Sequence, residues 1–97
     1  MASFVVLGNL TEQGAGDMKG VPDRVQAAKD AIQQAGGRMI LFYLTFGQYD
    51  LVTVFEAPDA ETATRVLLGI GALGNVRTTT MHAFTEAEAA TILESLP

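Results

Sequence analysis

The sequence has no cysteine and no tryptophan, and only one histidine among its 97 residues. Without cysteine the chain can form no disulfide, no thiolate nucleophile and no cysteine-ligated metal site, which fits a reducing compartment. The lone histidine, His82, leaves only carboxylates as further ligands for a metal ion. We therefore expect no metal site and no bound cofactor.

Basic residues and long apolar runs are also scarce. Six lysines and arginines stand against eleven acidic residues, giving a formal net charge of -5. Such a chain repels a phosphate backbone, so nucleic acid is not an expected partner. No stretch approaches the roughly 20 apolar residues of a membrane helix, and the short apolar run at the N-terminus lacks a preceding basic segment. We expect a cytoplasmic protein that does not enter membranes.

The apolar content is high for so short a chain. Residues 1–97 are expected to form a single domain. Hydrophobic residues make up 48% of the chain, and its mean hydropathy is +0.25. A small domain has little interior in which to bury them, so the composition indicates self-association as a homodimer or higher homo-oligomer.

Residue patterns predict the element order βαββαβα. The apolar run Phe4–Leu10 indicates a strand, and the glycine-rich residues 11–20 that follow are predicted to be a surface loop. A helix is expected to begin at Pro22, with apolar residues at helical spacing, and to end at Gly36 and Gly37.

The second half repeats this pattern. Met39–Phe46 and Leu51–Phe55 read as two strands, and Asp59 follows Pro58 as the N-cap of a second long helix that Gly74 and Asn75 end. Val76–Phe84 is predicted to be the fourth strand. Thr85 and Glu88 form a capping box for a last helix that runs to Leu96.

Two strand-helix-strand halves indicate an α+β, ferredoxin-like βαββαβ(α) fold with a four-stranded antiparallel sheet. A type II′ turn at Gly47 and Gln48 would pair Leu44 with Leu51, and Ile40 with Phe55. This register makes both sheet faces mostly apolar. Since the helices can cover only one, the other requires the final helix, a second subunit, or both, and we favour a homodimer packed sheet to sheet.

Three blocks of the sequence carry a family resemblance: "FVVLGNLTEQG", "FYLTFGQYDLVTVFEAPD" and "LGNVRTTTMHAFT". Together they resemble the GYD domain family of small bacterial proteins over nearly the whole chain, with Gly47-Gln48-Tyr49-Asp50 as the name motif. The resemblance implies the dimeric ferredoxin-like, or dimeric α/β barrel, architecture and does not imply a particular reaction.

A more distant resemblance is to the effector-binding domain of leucine-responsive, AsnC-type regulators, in which amino acids bind near subunit contacts. By matching position it implies a set of candidate ligand-binding residues. No helix-turn-helix precedes the domain, so we do not expect a regulator of that kind. The implied residues are Gly47, Tyr49, Asp50, Gly74, Asn75 and Thr78.

The residues themselves suggest further candidates. Asp50 is expected to accept a hydrogen bond from Thr45 or a loop amide, or alternatively to serve as a general base or bind a ligand ammonium. His82 shares one side of its strand with Thr78 and Thr80. If that side is the helix-free face, the three residues would line the cavity of a dimeric barrel.

Arg77, beside Asn75, is a further candidate, because its guanidinium could clamp a carboxylate. Three hypotheses for function follow. The first is a non-catalytic small-molecule-binding or accessory module. The second is a cofactor-free or haem-linked oxygenase or isomerase of the dimeric-barrel type, using His82 and perhaps Asp50. The third is a purely structural assembly module. A cavity at the dimer interface that contains Thr78, Thr80 and His82 would favour the first two, whereas a face filled by side chains would leave the assembly module.

Overall fold

The computed structural model describes residues 1–97 as a four-stranded antiparallel sheet with two long helices on one face. A single 3-10 turn, Met18–Gly20, lies between the first two helices. The elements in chain order are β1 Ala2–Leu10, α1 Glu12–Ala15, α2 Val21–Gln34, β2 Arg38–Leu44, β3 Leu51–Ala57, α3 Ala60–Ala72, β4 Val76–Ala83 and α4 Glu86–Glu94.

The strand order in the sheet is β2-β3-β1-β4, with β1 paired to both β3 and β4. This is the split βαβ topology, so the predicted α+β ferredoxin-like fold is confirmed. None of the helices is long and apolar enough to cross a membrane.

Local sequence signals set the helix ends. The Asp59 carboxylate accepts a 2.7 Å hydrogen bond from the Thr62 amide at the start of α3. Thr85 and Glu88 form the predicted capping box at the start of α4. Gly36 follows α2 with φ of 88°. The side-chain caps satisfy amides that the starts of α3 and α4 leave without intrahelical partners, and the left-handed Gly36 ends α2.

The core lies between the sheet and the α2–α3 layer. Phe4, Val6 and Phe55 project from the sheet toward Ile32 of α2 and Ala63 of α3. Phe4 stacks on Phe55 with ring centroids 5.4 Å apart. Burial of these side chains holds the helices on this face, which we call the helix face.

The opposite side of the sheet, the free face, is also apolar. Cross-strand pairs place Val5 beside Val54 and Leu7 beside Val52, while Leu41 of β2 continues the row. These side chains are only half-buried, because no element of the chain lies over them. Two apolar faces were predicted from the sequence, and the structure has them.

The final helix does not cover the free face. Every residue of α4 is exposed except the half-buried Ala89. The chain is correspondingly elongated, with extents of 50 × 30 × 18 Å. The sequence left two elements that could cover the free face, the final helix and a second subunit. The final helix of the same chain does not cover it.

Three local expectations were wrong. Residues 11–20 form α1 and the 3-10 turn rather than a plain loop, since Thr11 caps α1 by accepting from the Gly14 amide. A bulge at Ile40 pairs Met39, not Ile40, with Phe55. The bulge adds one residue to β2, so Met39 takes the place on the helix face that the unbroken register gave to Ile40.

The connection between β2 and β3 is also wider than a two-residue turn. Gly47 has positive φ, as predicted, but at 153° it lies far from the type II′ value. The Thr45 amide donates to the Asp50 carbonyl at 2.8 Å, which closes a four-residue connection. Phe46 at its tip is fully exposed.

Candidate functional site

One cavity lies between the α2–α3 layer and the helix face of the sheet. We call it the core cleft; its volume is about 310 Å³. Val6 and Phe55 form part of its floor, and side chains of α2 and α3 form its roof. A volume of this size, in a domain with so small a core, shows that the helices do not fill the space above the sheet. Further wall residues are Val25, Ala28, Phe42, Leu51, Val66, Ile70 and Leu73.

A second cavity adjoins the first along β4. This β4 pocket has a volume of about 320 Å³ and shares Leu67 and Thr78 with the core cleft. Its lining contains no lysine, arginine, aspartate or glutamate. The lining residues are Phe4, Ala63, Thr64, Leu67, Leu68, Thr78, Thr80 and His82.

Thr78, Thr80 and His82 form a polar row on the wall of the β4 pocket. They pair across to Gly8, Val6 and Phe4 of β1, which places them on the helix face. The expectation that they could line a cavity on the helix-free face is therefore wrong, because alternation along β4 follows the buried residues of β1. The three residues nevertheless share a cavity, which lies beneath α3 rather than on the free face.

The polar row has unused hydrogen-bonding capacity. All three side chains are exposed, and none forms a hydrogen bond with another group of the chain. Each threonine hydroxyl can donate and accept, and an imidazole can do both through its two nitrogens. The row can therefore offer several hydrogen bonds to a molecule in the pocket.

Aromatic contacts fix the His82 ring. Its centroid lies 5.0 Å from that of Phe4 and 4.8 Å from that of Phe84, with interplanar angles of 23° and 28°. Stacking restrains the ring, while no carboxylate bonds to it as the orienting partner of a general base would. The stacked ring can present its nitrogens to a molecule in the pocket.

Asp50 lies outside both cavities and has a structural contact. Its carboxylate accepts a 2.8 Å hydrogen bond from the Leu10 amide, and its own amide donates to the Gly8 carbonyl at 2.8 Å. The partner is thus the amide of Leu10, the last residue of β1, and not the Thr45 hydroxyl or a loop amide, as the sequence had predicted. The Thr45 hydroxyl donates instead to the Tyr49 carbonyl. Asp50 and His82 therefore do not meet in one site.

The turn before β4 is held to the same end of β1. The Thr11 hydroxyl donates to the Gly74 carbonyl at 2.6 Å, and the Thr11 amide donates to the Asn75 carbonyl at 3.1 Å. The Gln13 side-chain amide donates to the Asn75 side chain at 3.0 Å. Gly14 packs so closely that an added Cβ would lie 2.1 Å from the Asn75 carbonyl oxygen.

The nominated ligand-binding residues therefore separate into three groups. Thr78 and Thr80 line the β4 pocket with His82, and Asn75 lines the core cleft near its edge. Gly47, Tyr49, Asp50 and Gly74 line neither cavity. Arg77 pairs with Asn9 on the free face. It therefore lies on the opposite side of the sheet from the cavity that Asn75 lines, and its guanidinium does not clamp a carboxylate there.

Sequence reasoning missed the α3 wall of the site. Thr64 and Leu68 line the β4 pocket, and Arg24 lies at the core cleft, where it donates to the Gly14 carbonyl at 3.1 Å. The helical spacing of apolar residues in α3 predicted that one side of the helix faces the core. It did not predict that a cavity separates this side from β4. No group of three or more metal-ligating side chains lies together in the structure.

Two carboxyl groups have perturbed acidity, and both are helix caps. The Thr62 amide holds the pKa of Asp59 below its ordinary value of 3.8. The Thr85 amide likewise lowers the pKa of Glu88 from 4.5. Hydrogen bonds to the charged form favour ionisation, so these shifts belong to the architecture rather than to chemistry in the cavities.

Comparison with known proteins gives a family and a fold. The GYD domain matches residues 4–93. A protein of Thermus thermophilus, called glutamine synthetase and cystathionine beta-lyase binding protein, is 35% identical over 89 residues, covering 91% of this chain and 94% of that protein.

Solved structures agree on the architecture. The crystal structure of TTHA0845 from Thermus thermophilus is 31% identical, with a TM-score of 0.55 over 87% of this chain and 94% of that one. MtbAldR gives a TM-score of 0.69 at 15% identity, covering 88% of this chain and 52% of that chain. FFRP-DM1 gives 0.64 at 19%, covering 87% and 100%. The last two similarities concern the fold alone.

Proposed function

We propose that this chain, which belongs to the GYD domain family, is a non-catalytic accessory protein that binds a small molecule in the β4 pocket. The observation that carries the proposal is the polar row of Thr78, Thr80 and His82. Its three side chains line a cavity, are exposed, and form no hydrogen bond with the rest of the chain, as described above. Polar groups convergent on an otherwise apolar cavity are typical of ligand sites.

The pocket lining indicates the chemistry of the ligand. No charged side chain lines the β4 pocket, so neither an ammonium nor a carboxylate would find an ion-pair partner there. The polar row matches a hydroxyl, carbonyl or amide group. Leu67 joins this pocket to the core cleft, where an apolar part of the molecule would lie. We propose a neutral molecule with one polar edge and an apolar body.

Native mass spectrometry of the protein purified from its own host tests this function. We expect a retained molecule of constant mass, lost on denaturation, which then binds again to the purified protein. Replacement of Thr80 by valine should weaken that rebinding. A protein that retains nothing and fails to bind a library of neutral amphipathic compounds would contradict the proposal, and the assembly-module hypothesis would then remain.

A second candidate function is attachment to an enzyme. The Thermus thermophilus relative is called a binding protein for glutamine synthetase and cystathionine beta-lyase. Three exposed apolar residues lie at the end of β2 and in the connection after it, and we call them the apolar patch. They are Phe46 in the connection, and Tyr43 and Leu44, which project to opposite faces of the sheet. Exposed aromatic residues of this kind often act as anchors in protein interfaces.

We propose that this apolar patch binds a metabolic enzyme such as glutamine synthetase of the same host. Biolayer interferometry with the purified enzyme measures the interaction. Replacement of Phe46 by serine should weaken binding, whereas the same change at the exposed Met18, remote from the patch in sequence, should not. Equal binding by the Phe46→Ser variant would exclude this surface.

We also propose that the protein is cytoplasmic, that residues 1–97 form a single domain, and that it works as a homodimer. The apolar free face supports the dimer, since Val5, Leu41 and Val54 would otherwise remain half-exposed to water. Light scattering coupled to size-exclusion chromatography at micromolar concentration tests this. A mass near 10.3 kDa rather than twice that value would contradict the dimer.

A further inference from the structure

The final helix α4 is the least covered element of the molecule. Leu93 is 63% exposed and Leu96 in the tail beyond it is 62% exposed, while Ile92 and Phe84 are also exposed. None of the residues of α4 is buried. The helix is attached to β4 through only Phe84 and Thr85.

A helix of nine residues is not expected to persist in water by itself. Isolated helices shorter than about 12 residues are marginal even with good capping. The capping box of Thr85 and Glu88 stabilises its first turn, but Ile92 and Leu93 on its apolar side are exposed. Ile92, Leu93 and Leu96, which we call the arm surface, are therefore left exposed to water in a single copy of the chain.

The exposed area of the chain matches what a dimer would bury. The accessible surface is 6389 Å², whereas a compact monomer of this mass exposes about 5,400 Å². The radius of gyration is 14.4 Å, against about 12.5 Å for a compact chain of this length. The excess of about 1,000 Å² is close to the roughly 800 Å² that each partner of a standard interface buries.

Charge and apolar character point to the place where the arm docks. On the free face, β4 exposes Arg77, Thr79 and Met81, which we call the β4 rim. Arg77 has no ion-pair partner, and neither do Glu86 and Glu94 of α4. Met81 lies beyond Thr79 on the same face of β4 and adds an exposed apolar side chain to the rim. An acidic helix with an apolar side complements this rim.

We propose that α4 is an exchanged arm: the arm surface of one copy packs on the β4 rim of a second copy, and the reverse contact forms by two-fold symmetry. This proposal rests on the homodimer proposed above, and it names the element that forms the contact between the two copies. Contact over β4 and β1 leaves the β2–β3 half of the free face for sheet-to-sheet packing. The arm is stabilised only after the two copies meet.

Site-specific crosslinking tests the arm directly, because the chain has no cysteine of its own. Two variants with tags of different mass, Leu93→Cys and Thr79→Cys, are mixed and oxidised. We expect a mixed disulfide on a non-reducing gel. The control pair, Leu93→Cys with Thr64→Cys in α3, should give none, since Thr64 lies on the helix side of the fold.

A double variant, Ile92→Asp with Leu93→Asp, provides an independent measurement. Loss of two buried anchors should raise the dimer dissociation constant by about 100-fold or more, with the monomer still folded by circular dichroism. A dimer that survives these changes without the mixed disulfide would overturn the arm and leave the dimer. A monomeric wild-type protein would overturn both. A double variant that fails to fold would also overturn the arm, since α4 would then support its own chain.

Discussion

Asp50 and Leu10 are joined at the end of the sheet by a 2.8 Å hydrogen bond from the Leu10 amide to the Asp50 carboxylate. The bond fixes the β2–β3 connection to the last residue of β1. A part-buried amide that loses such a partner retains the cost of its desolvation, about 1–3 kcal/mol. The Gly-x-Tyr-Asp motif therefore contributes to stability through its aspartate.

The first prediction concerns this bond. Asp50→Ala should lower the free energy of unfolding by about 1–3 kcal/mol, because the Leu10 amide loses its acceptor. Asp50→Asn keeps an acceptor oxygen and should cost less. Urea unfolding followed by circular dichroism measures both. If the two variants leave stability unchanged but abolish ligand binding, Asp50 acts in binding rather than in structure.

The second prediction concerns Gly14. A Cβ there would lie 2.1 Å from the Asn75 carbonyl oxygen, so Gly14→Ala must displace backbone. We expect a loss of about 1–3 kcal/mol in the free energy of unfolding. The control is Gly69→Ala in α3, where nothing lies within 4 Å of the added carbon. That change should stabilise by up to about 1 kcal/mol through helix propensity.

The third prediction follows from the lowered pKa of Asp59. The Thr62 amide bonds to the ionised carboxylate, so Asp59 binds its proton less readily in the folded state than at its ordinary pKa of 3.8. Its contribution is present above that value and is lost as the pH falls through the lower folded pKa. Asp59→Asn keeps a capping oxygen that does not titrate, so stability should fall less steeply below pH 3.8. Thermal unfolding at stepped pH measures the difference, and identical slopes would contradict it.

The fourth prediction concerns the polar row. Thr80→Val keeps the shape of the side chain and removes its hydroxyl, so affinity for the retained molecule should fall about 10-fold, as for one neutral hydrogen bond. Thr79→Val is the matched control, because Thr79 pairs with Leu7 on the free face. Isothermal titration calorimetry compares them. An equal loss at both positions would mean that the ligand does not bind on the helix face.

The sequence predicted the elements well where the signals are local. Asp59 and the pair Thr85–Glu88 marked helix starts because a cap is made by residues three positions apart. The split βαβ order followed from the succession of apolar runs. The bulge at Ile40 had no such signal, since the residues that follow it in β2 are all apolar and any register would bury some of them.

The site could be predicted only in part. Alternation correctly grouped Thr78, Thr80 and His82 on one side of β4, because side chains two apart share a face. It could not tell which face the helices cover. That assignment depends on Phe4 and Val6 of β1, whose pairing with β4 is distant in sequence. The cavity itself depends on how far α3 stands from the sheet, which no periodicity encodes.

Two separate loops form hydrogen bonds with neighbouring residues at the end of β1. The Leu10 amide is held by Asp50, and the Thr11 amide by the Asn75 carbonyl. Amide protons exchange with solvent only when such bonds open. Exchange at Leu10 therefore reports opening of the β2–β3 connection, and exchange at Thr11 reports opening of the turn before β4. The exchange rates of two adjacent amides therefore report separately on the opening of two loops that lie far apart in the chain.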